Sequence, residues 1–238
     1  MRIEFLFSEV ANYLGERGDM DLLRQIFPQA DFIDTPILAK PVFLDEEVDL
    51  VFLGPMSEKG QELALEKLLP YRDELWEKIE AGQAFLTVGN GMELFGRYIE
   101  TDEGEKIPCL NYFPYYAKRQ MLKRHAGLFL GDKAGLKIVG SKAQFTQIFP
   151  LDDGDFPRFC RVEKGMGLHK GSEGEGLHYK NLLGTHILGP FLVVNPVFTK
   201  QWLGGLFGDQ NPVWPYYDLA MDAYHRRLLD LQNPRAHG

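Results

Sequence analysis

Cysteine is almost absent from this 238-residue chain, and the two that occur, Cys109 and Cys160, lie far apart and outside any C-x-x-C spacing. That excludes a cysteine-based metal cluster or a dithiol redox pair, and predicts reduced thiols in a cytoplasmic setting. Basic residues are also short: 26 Lys and Arg against 34 Asp and Glu give a net charge of -8. Nucleic acid is therefore not an expected partner, because such binding rests on neutralising phosphates. No apolar run is long enough to span a bilayer, and Glu4 interrupts what would be a continuous apolar signal core, so neither a transmembrane segment nor a leader is expected. Histidines at helical i, i+4 spacing are missing, and His169 and His178 merely flank a glycine-rich stretch, so no metal site is predicted. That stretch has no G-K-[ST] ending and no strand-loop-helix context, which removes a phosphate cradle. No cofactor is expected.

What is present fits one domain spanning residues 1–238, with 45% hydrophobic residues to fill a core. Strand patterns at 3–7, 48–53 and 84–88 alternate with helical ones at 19–27 and 60–81, the latter divided by Pro70. The middle third reads as strand-rich: a hairpin pairing 97–100 with 106–110, then short strands at 127–130, 137–139 and 159–162. Five glycines between Lys164 and Gly176 predict an exposed loop. A strand at 181–187 and helices at 199–207 and 216–231 close the chain.

The segment Gly82 to Gly96, GQAFLTVGNGMELFG, has the form of a strand, a sharp turn and the start of a helix. Such an arrangement presents a catalytic nucleophile, yet Gly89 occupies the turn.

Three further stretches carry a family resemblance. Asn12-Tyr13-Leu14-Gly15-Glu16-Arg17-Gly18-Asp19 is similar to N-L-Y-G-D-x-G-N, and Asp49 to Gly54 is similar to a D-x-x-x-x-G strand end before a G-G turn. Gly176-Leu177-His178-Tyr179-Lys180-Asn181-Leu182-Leu183-Gly184-Thr185-His186-Ile187-Leu188-Gly189-Pro190 is similar to G-x-x-Y-x-N-x-x-G-T-Y-L-H-G-P, and Asn195-Pro196 follows as the family's N-P does. Over most of its length the chain resembles class I glutamine amidotransferase domains of the cobyric acid synthase type, most closely the glutaminase subunit of lipid II isoglutaminyl synthase. The resemblance implies an α/β, flavodoxin-like three-layer fold with a mostly parallel central sheet and an antiparallel extension. It also implies the chemistry: a Cys attacks the glutamine amide, a His moves the proton, and ammonia passes to a synthetase.

Both catalytic positions differ here. The family's C-G-G-Y-Q turn corresponds to Gly89-Asn90-Gly91-Met92-Glu93, and its T-Y-L-H-G-P histidine to Leu188. Its glutamine-contacting Gln becomes Glu93, and N-H-x-G-R-T survives only as Ser141-Lys142-Ala143-Gln144-Phe145-Thr146. Arg124 is placed like the carboxylate-binding arginine. The expectation is a pseudoenzyme with no catalytic residues, in which Asn90, Gly91, Glu93, Arg124 and His186 line a ligand site. Its partner would be a Mur-ligase-like synthetase of peptidoglycan precursor or cobyrinate-type amidation. One alternative is a free-standing protein holding glutamine or a small acidic metabolite in the vacated pocket. Another is a hydrolase or transferase with chemistry relocated to Cys109, Cys160 or His186. The cluster Tyr112-Phe113-Pro114-Tyr115-Tyr116 with Lys118, Arg119, Lys123 and Arg124 reads as packing beneath a loop, or else as a partner surface.

Overall fold

The computed structural model describes residues 1–151, 155–208 and 214–233. The first half runs β1 (Arg2–Leu6), α1 (Arg17–Ile26), β2 (Asp31–Thr35), α2 (Val42–Asp45), β3 (Leu50–Leu53), α3 (Glu58–Leu68), α4 (Arg72–Glu80) and β4 (Ala84–Val88). A strand-rich segment follows: β5 (Tyr98–Glu100), β6 (Lys106–Pro108), β7 (Tyr115–Arg119), β8 (His125–Lys133), β9 (Leu136–Gln144), β10 (Thr146–Pro150) and β11 (Cys160–Lys164). The chain then forms β12 (Gly174–Glu175), β13 (Leu177–Tyr179), β14 (Leu182–Thr185), α5 (Phe191–Val194), α6 (Pro196–Phe207) and α7 (Tyr217–Gln232).

The central sheet has the order β13-β14-β4-β3-β1-β2. All its pairings are parallel except that of β13 with β14. Because successive side chains point to opposite faces of a strand, each strand feeds two cores. Val51, Leu53 and Phe85 join Leu65, Leu68, Leu75 and Ile79 of α3 and α4 on one face. Leu50, Phe52, Leu86 and Val88 join Leu23 and Ile26 of α1 and Phe198 and Trp202 of α6 on the other. This is the expected three-layer α/β architecture. Two four-stranded sheets, β10-β7-β5-β6 and β12-β11-β8-β9, form the extension. The second is wholly antiparallel. Among the described residues no helix is long and apolar enough to cross a membrane.

Two local expectations change, and one left open between two readings is narrowed. Residues Gly89–Phe95 form a 3-10 turn in place of a helix, and the chain then enters β5. At Gly96 a Cβ would lie 2.5 Å from Tyr115 Cε2, so the chain is packed against β7 where a longer helix would have continued. The 164–176 stretch is folded in, not simply exposed: the Leu168 side chain is buried, its N–H bonds the Gly174 carbonyl at 3.1 Å, and its carbonyl accepts the Ile148 N–H at 2.8 Å. The aromatic part of the aromatic-basic cluster is packing: Tyr115 is fully buried, Tyr112 and Phe113 pack around Trp76, and Lys118 pairs with Glu100 at 2.5 Å, whereas Lys123 and Arg124 are exposed.

Candidate functional site

The sheet register brings three loops to one edge. Leu53 pairs with Thr87, and Val88 with Thr185, so the residues following β3, β4 and β14 emerge together at the carboxyl ends of parallel strands. Open α/β sheets bind their ligands at that edge. A pocket of about 200 Å3 lies there, lined by Pro55 and Met56 after β3, Gly89 and Asn90 after β4, and His186 and Leu188 after β14. Tyr13, Leu14, Ser57, Glu58 and Gln61 of the α3 start, Arg124 and the 143–146 segment complete its wall. It is smaller than the roughly 300 Å3 at which pockets for drug-sized ligands begin, which suits something the size of an amino acid.

The turn itself retains the strained geometry of an elbow, with Gly89 at φ +64°. An L-residue resists that region. Space is also denied: a Cβ on Gly89 would lie 2.5 Å from Pro55 Cβ and 3.3 Å from Pro55 Cα. The same loop contributes little to anion stabilisation. Pro55 has no N–H, and the Met56 N–H is committed to Asn90 Oδ1 at 2.9 Å, while Asn90 Nδ2 returns a 2.9 Å bond to the Met56 carbonyl. An oxyanion hole needs such N–H groups free and aimed at the reacting atom.

Beneath the pocket lies a polar network built on Glu93, which is fully buried. Its Oε2 accepts from Gln61 Nε2 at 2.8 Å. Its Oε1 accepts from the Thr146 hydroxyl and lies 3.0 Å from His186 Nε2. Gln61 also donates to the Asn90 carbonyl at 2.8 Å and accepts from Arg119 Nη2 at 2.9 Å. Arg119 in turn meets Glu62 at 2.5 Å. The network ties the turn, α3, β7 and β10 into one unit. His186 Nδ1 is buried without a hydrogen-bond partner among the described residues, an arrangement costing about 1–3 kcal/mol.

The segment bearing His186 and Leu188 is fixed through every backbone N–H from 186 to 189. His186 donates to Glu175 Oε1 at 2.9 Å, Ile187 to Thr185 Oγ1 at 3.0 Å, Leu188 to the Ser141 carbonyl at 2.8 Å and Gly189 to Glu16 Oε1 at 2.7 Å. Glu175 forms a buried ion pair with Lys142, whose Nζ also meets the Gly167 carbonyl at 3.0 Å. Burial opposes both charges and is the largest influence on each; it lowers the Lys142 ammonium, whereas for Glu175 the charges of Lys142 and His186 and the hydrogen bonds from Lys142 and the His186 N–H together outweigh it and hold the carboxyl below its ordinary value. Glu16 and Asp19, from the motif after β1, cap the following turn: Glu16 Oε2 accepts from Phe191 N at 2.9 Å and Asp19 Oδ1 from Leu192 N at 2.8 Å. Burial raises both carboxyls, and the charge of Glu16 pushes Asp19 up further. That motif positions the Leu188 loop and contributes no side chain to chemistry.

Of the residues named from sequence, Gly89, Asn90, Arg124, His186 and Leu188 meet in the pocket. Gly91 and Glu93 are not among its lining residues. Gly91 is wedged against the Leu53 carbonyl, where a Cβ would lie at 3.1 Å, and both Glu93 oxygens are engaged inside the protein. Cys109 and Cys160 are buried, and burial pushes both thiols far up, so neither is a thiolate at neutral pH. Neither lines this pocket. Gln61 and the blocking role of Pro55 were not anticipated. A lone Gln on a helix carries no signal, whereas Pro55, standing where the resemblance has the first Gly of a G-G turn, did carry one.

The fold is similar to that of glutamine amidotransferases of class I architecture. One crystal structure of a glutamine amidotransferase superposes with a TM-score of 0.57 at 14% identity, covering 85% of this chain and 98% of that one. A glutamine amidotransferase from Thermotoga maritima gives 0.51 at 12% identity over 98% of this chain and 99% of its own. In sequence, the chain is related to the subunit GatD of lipid II isoglutaminyl synthase (glutamine-hydrolyzing). The Staphylococcus aureus protein is 29% identical over 158 residues, 66% of this chain, and the match spans 63% of that relative's length. The Streptococcus pneumoniae protein is 24% identical over 209 residues, 82% of this chain and 76% of the relative. No protein-family model matches the chain.

Proposed function

We propose that this protein is a pseudo-glutaminase: a glutaminase-like subunit of the cobyric acid synthase type that has lost glutamine hydrolysis and acts by binding a synthetase. The observation that carries this reading is the contact at the turn. Gly89 supplies no nucleophile, and Pro55 fills the space a nucleophilic side chain would need. Leu188, the position the resemblance gives to histidine, lines the same pocket and cannot exchange a proton. Loss of the chemistry alongside an intact backbone scaffold supports a role in assembly, and the relatives' names, subunits of lipid II isoglutaminyl synthase, taken with the sequence resemblance, make a Mur-ligase-like synthetase the partner to try first. The purified protein, alone and mixed with that synthetase, is expected to release no ammonia from glutamine. Sustained turnover in either setting overturns the reading.

A second reading, a free-standing binder of glutamine or another small acidic metabolite, is favoured by Arg124. Its guanidinium lines the pocket, rests 5.9 Å from the Phe145 ring centroid, and has no ion-pair partner among the described residues. Stabilisation of the lone protein by such metabolites in a thermal-shift series, lost in Arg124→Ala, would select it over the subunit reading.

A further inference from the structure

A second cavity lies at the opposite end of the central sheet. Asn181 precedes β14, whereas Gly89 and His186 follow β4 and β14, so the two pockets sit at opposite edges. The cavity measures about 710 Å3. That is well within the roughly 300–1,000 Å3 range of small-molecule sites. The turn joining β8 to β9, the turn joining β13 to β14 and one face of α6 supply its walls. Among the described residues that line it none is acidic, in a chain whose net charge is -8.

Its polar groups converge. Lys133 Nζ donates to the Phe159 carbonyl at 3.3 Å and meets His178 Nδ1 at 3.0 Å, and it has no carboxylate partner among the described residues. An ammonium only donates, so His178 Nδ1 accepts and the imidazole carries its proton on Nε2. Burial, then Lys133, brings His178 down to about 4, so the ring is a neutral donor at physiological pH. With two of its three protons engaged, Lys133 keeps one for a ligand. The Asn181 side-chain amide already donates to the Gly82 carbonyl at 2.7 Å. On α6 the largely buried Phe198 and Trp202 stack with centroids 6.3 Å apart and planes inclined by 14°, supplying the mainly apolar side of the cavity, and Trp202 Nε1 has no hydrogen-bond partner among the described residues. Gln201 is exposed on the same helix and also lines the cavity.

We propose that this cavity binds an amphiphilic organic anion, with its carboxylate or phosphate head on Lys133 and His178 and its apolar body against Phe198 and Trp202. The charge and the wall each exclude something: Lys180 is already paired with Glu80 at 2.8 Å, but a purely apolar ligand leaves the Lys133 ammonium without a counter-charge, and a bare inorganic anion makes no use of the aromatic side.

Calorimetric titration of the full chain with benzoate and with phenyl phosphate tests it, using benzyl alcohol and inorganic phosphate as probes of each half alone. At least one aromatic anion is expected to bind with a Kd of about 1 mM or tighter, and both half-probes at least about tenfold more weakly. Comparing benzoate with phenyl phosphate assigns the head group. Gln201→Glu, an exposed change that leaves the packing alone, and Lys133→Gln should each weaken binding by about tenfold or more, since each shifts the local charge by one unit. If Lys133→Gln unfolds, Gln201→Glu decides alone. Arg124→Ala should leave this affinity unchanged. Absence of binding by both anions, equal binding by benzyl alcohol, indifference to Gln201→Glu, or loss in Arg124→Ala would each overturn the proposal, the last by placing the anion in the other pocket.

Discussion

Pro55 and Gly89 are packed so that any Cβ at residue 89 would lie 2.5 Å from Pro55 Cβ, closer than two carbons tolerate. The two loops that meet here follow adjacent parallel strands, so neither can retreat without disturbing the β3–β4 register. On the proposed reading, the missing nucleophile is therefore built into two residues, and reversing it at one leaves the other in place.

It follows that Gly89→Cys destabilises the fold by about 2–4 kcal/mol, combining left-handed strain with overpacking. Adding Pro55→Gly should recover the overpacking part, a difference readable in urea melts. The triple variant with Leu188→His is where any ammonia release from glutamine should first appear; activity in Gly89→Cys alone would contradict the steric argument.

The Glu16–Asp19 pair makes stability depend on pH. Both carboxyls are raised in the folded state, chiefly by burial. The folded protein thus holds protons the unfolded chain releases, so their contribution is fully present below the ordinary values, 3.8 for Asp19 and 4.5 for Glu16, and is lost as pH rises through the folded values. Asp19→Asn keeps an acceptor for Leu192 N and removes one titration. Relative to wild type it should therefore become progressively more favourable as pH increases above about 4, then level off. Denaturation series at several pH values, with the difference taken at each, check this; a difference independent of pH would refute it.

Lys142→Met leaves Glu175 charged in a fully buried site and is expected to cost about 3–5 kcal/mol. Lys142→Met combined with Glu175→Gln should recover most of that loss, because the remaining acceptor still serves His186 N. A double-mutant cycle by chemical denaturation measures the coupling.

Cys109 and Cys160 should resist a thiol reagent near neutral pH in the native protein and react fully in denaturant. Rapid native labelling of either would revive relocated thiol chemistry.

Arg124→Ala should alter stability by no more than about 0.5 kcal/mol, because the side chain is exposed and unpaired by any carboxylate among the described residues. Any metabolite stabilisation of the first pocket should vanish with it.

Much of the layered architecture was legible in local pattern. The apolar runs of β1, β3, β4 and β14 mark buried parallel strands, and Pro70 divides α3 from α4 as its missing N–H requires. β2, reading Asp-Phe-Ile-Asp-Thr, escaped because it is an edge strand with a largely polar sequence. β7 escaped for a different reason: its aromatic and basic residues read as loop packing or a partner surface until pairing with β10, itself a short mixed Thr-Gln-Ile-Phe-Pro run, buries Tyr115, Ala117 and Ile148.

By itself the sequence determined that residue 89 offers no nucleophile and residue 188 no proton carrier, since those capacities belong to side chains and can be read one residue at a time. It also permitted the elbow, because Gly-Asn-Gly after a buried strand can take the positive φ that a sharp turn needs. Only the tertiary structure decided that Pro55 stands over Gly89, that Glu93 turns inward to His186, Thr146 and Gln61, and that Lys133 and His178 share a cavity with Trp202. These are contacts between residues far apart in the chain, set by strand register and by which charges burial leaves partnered.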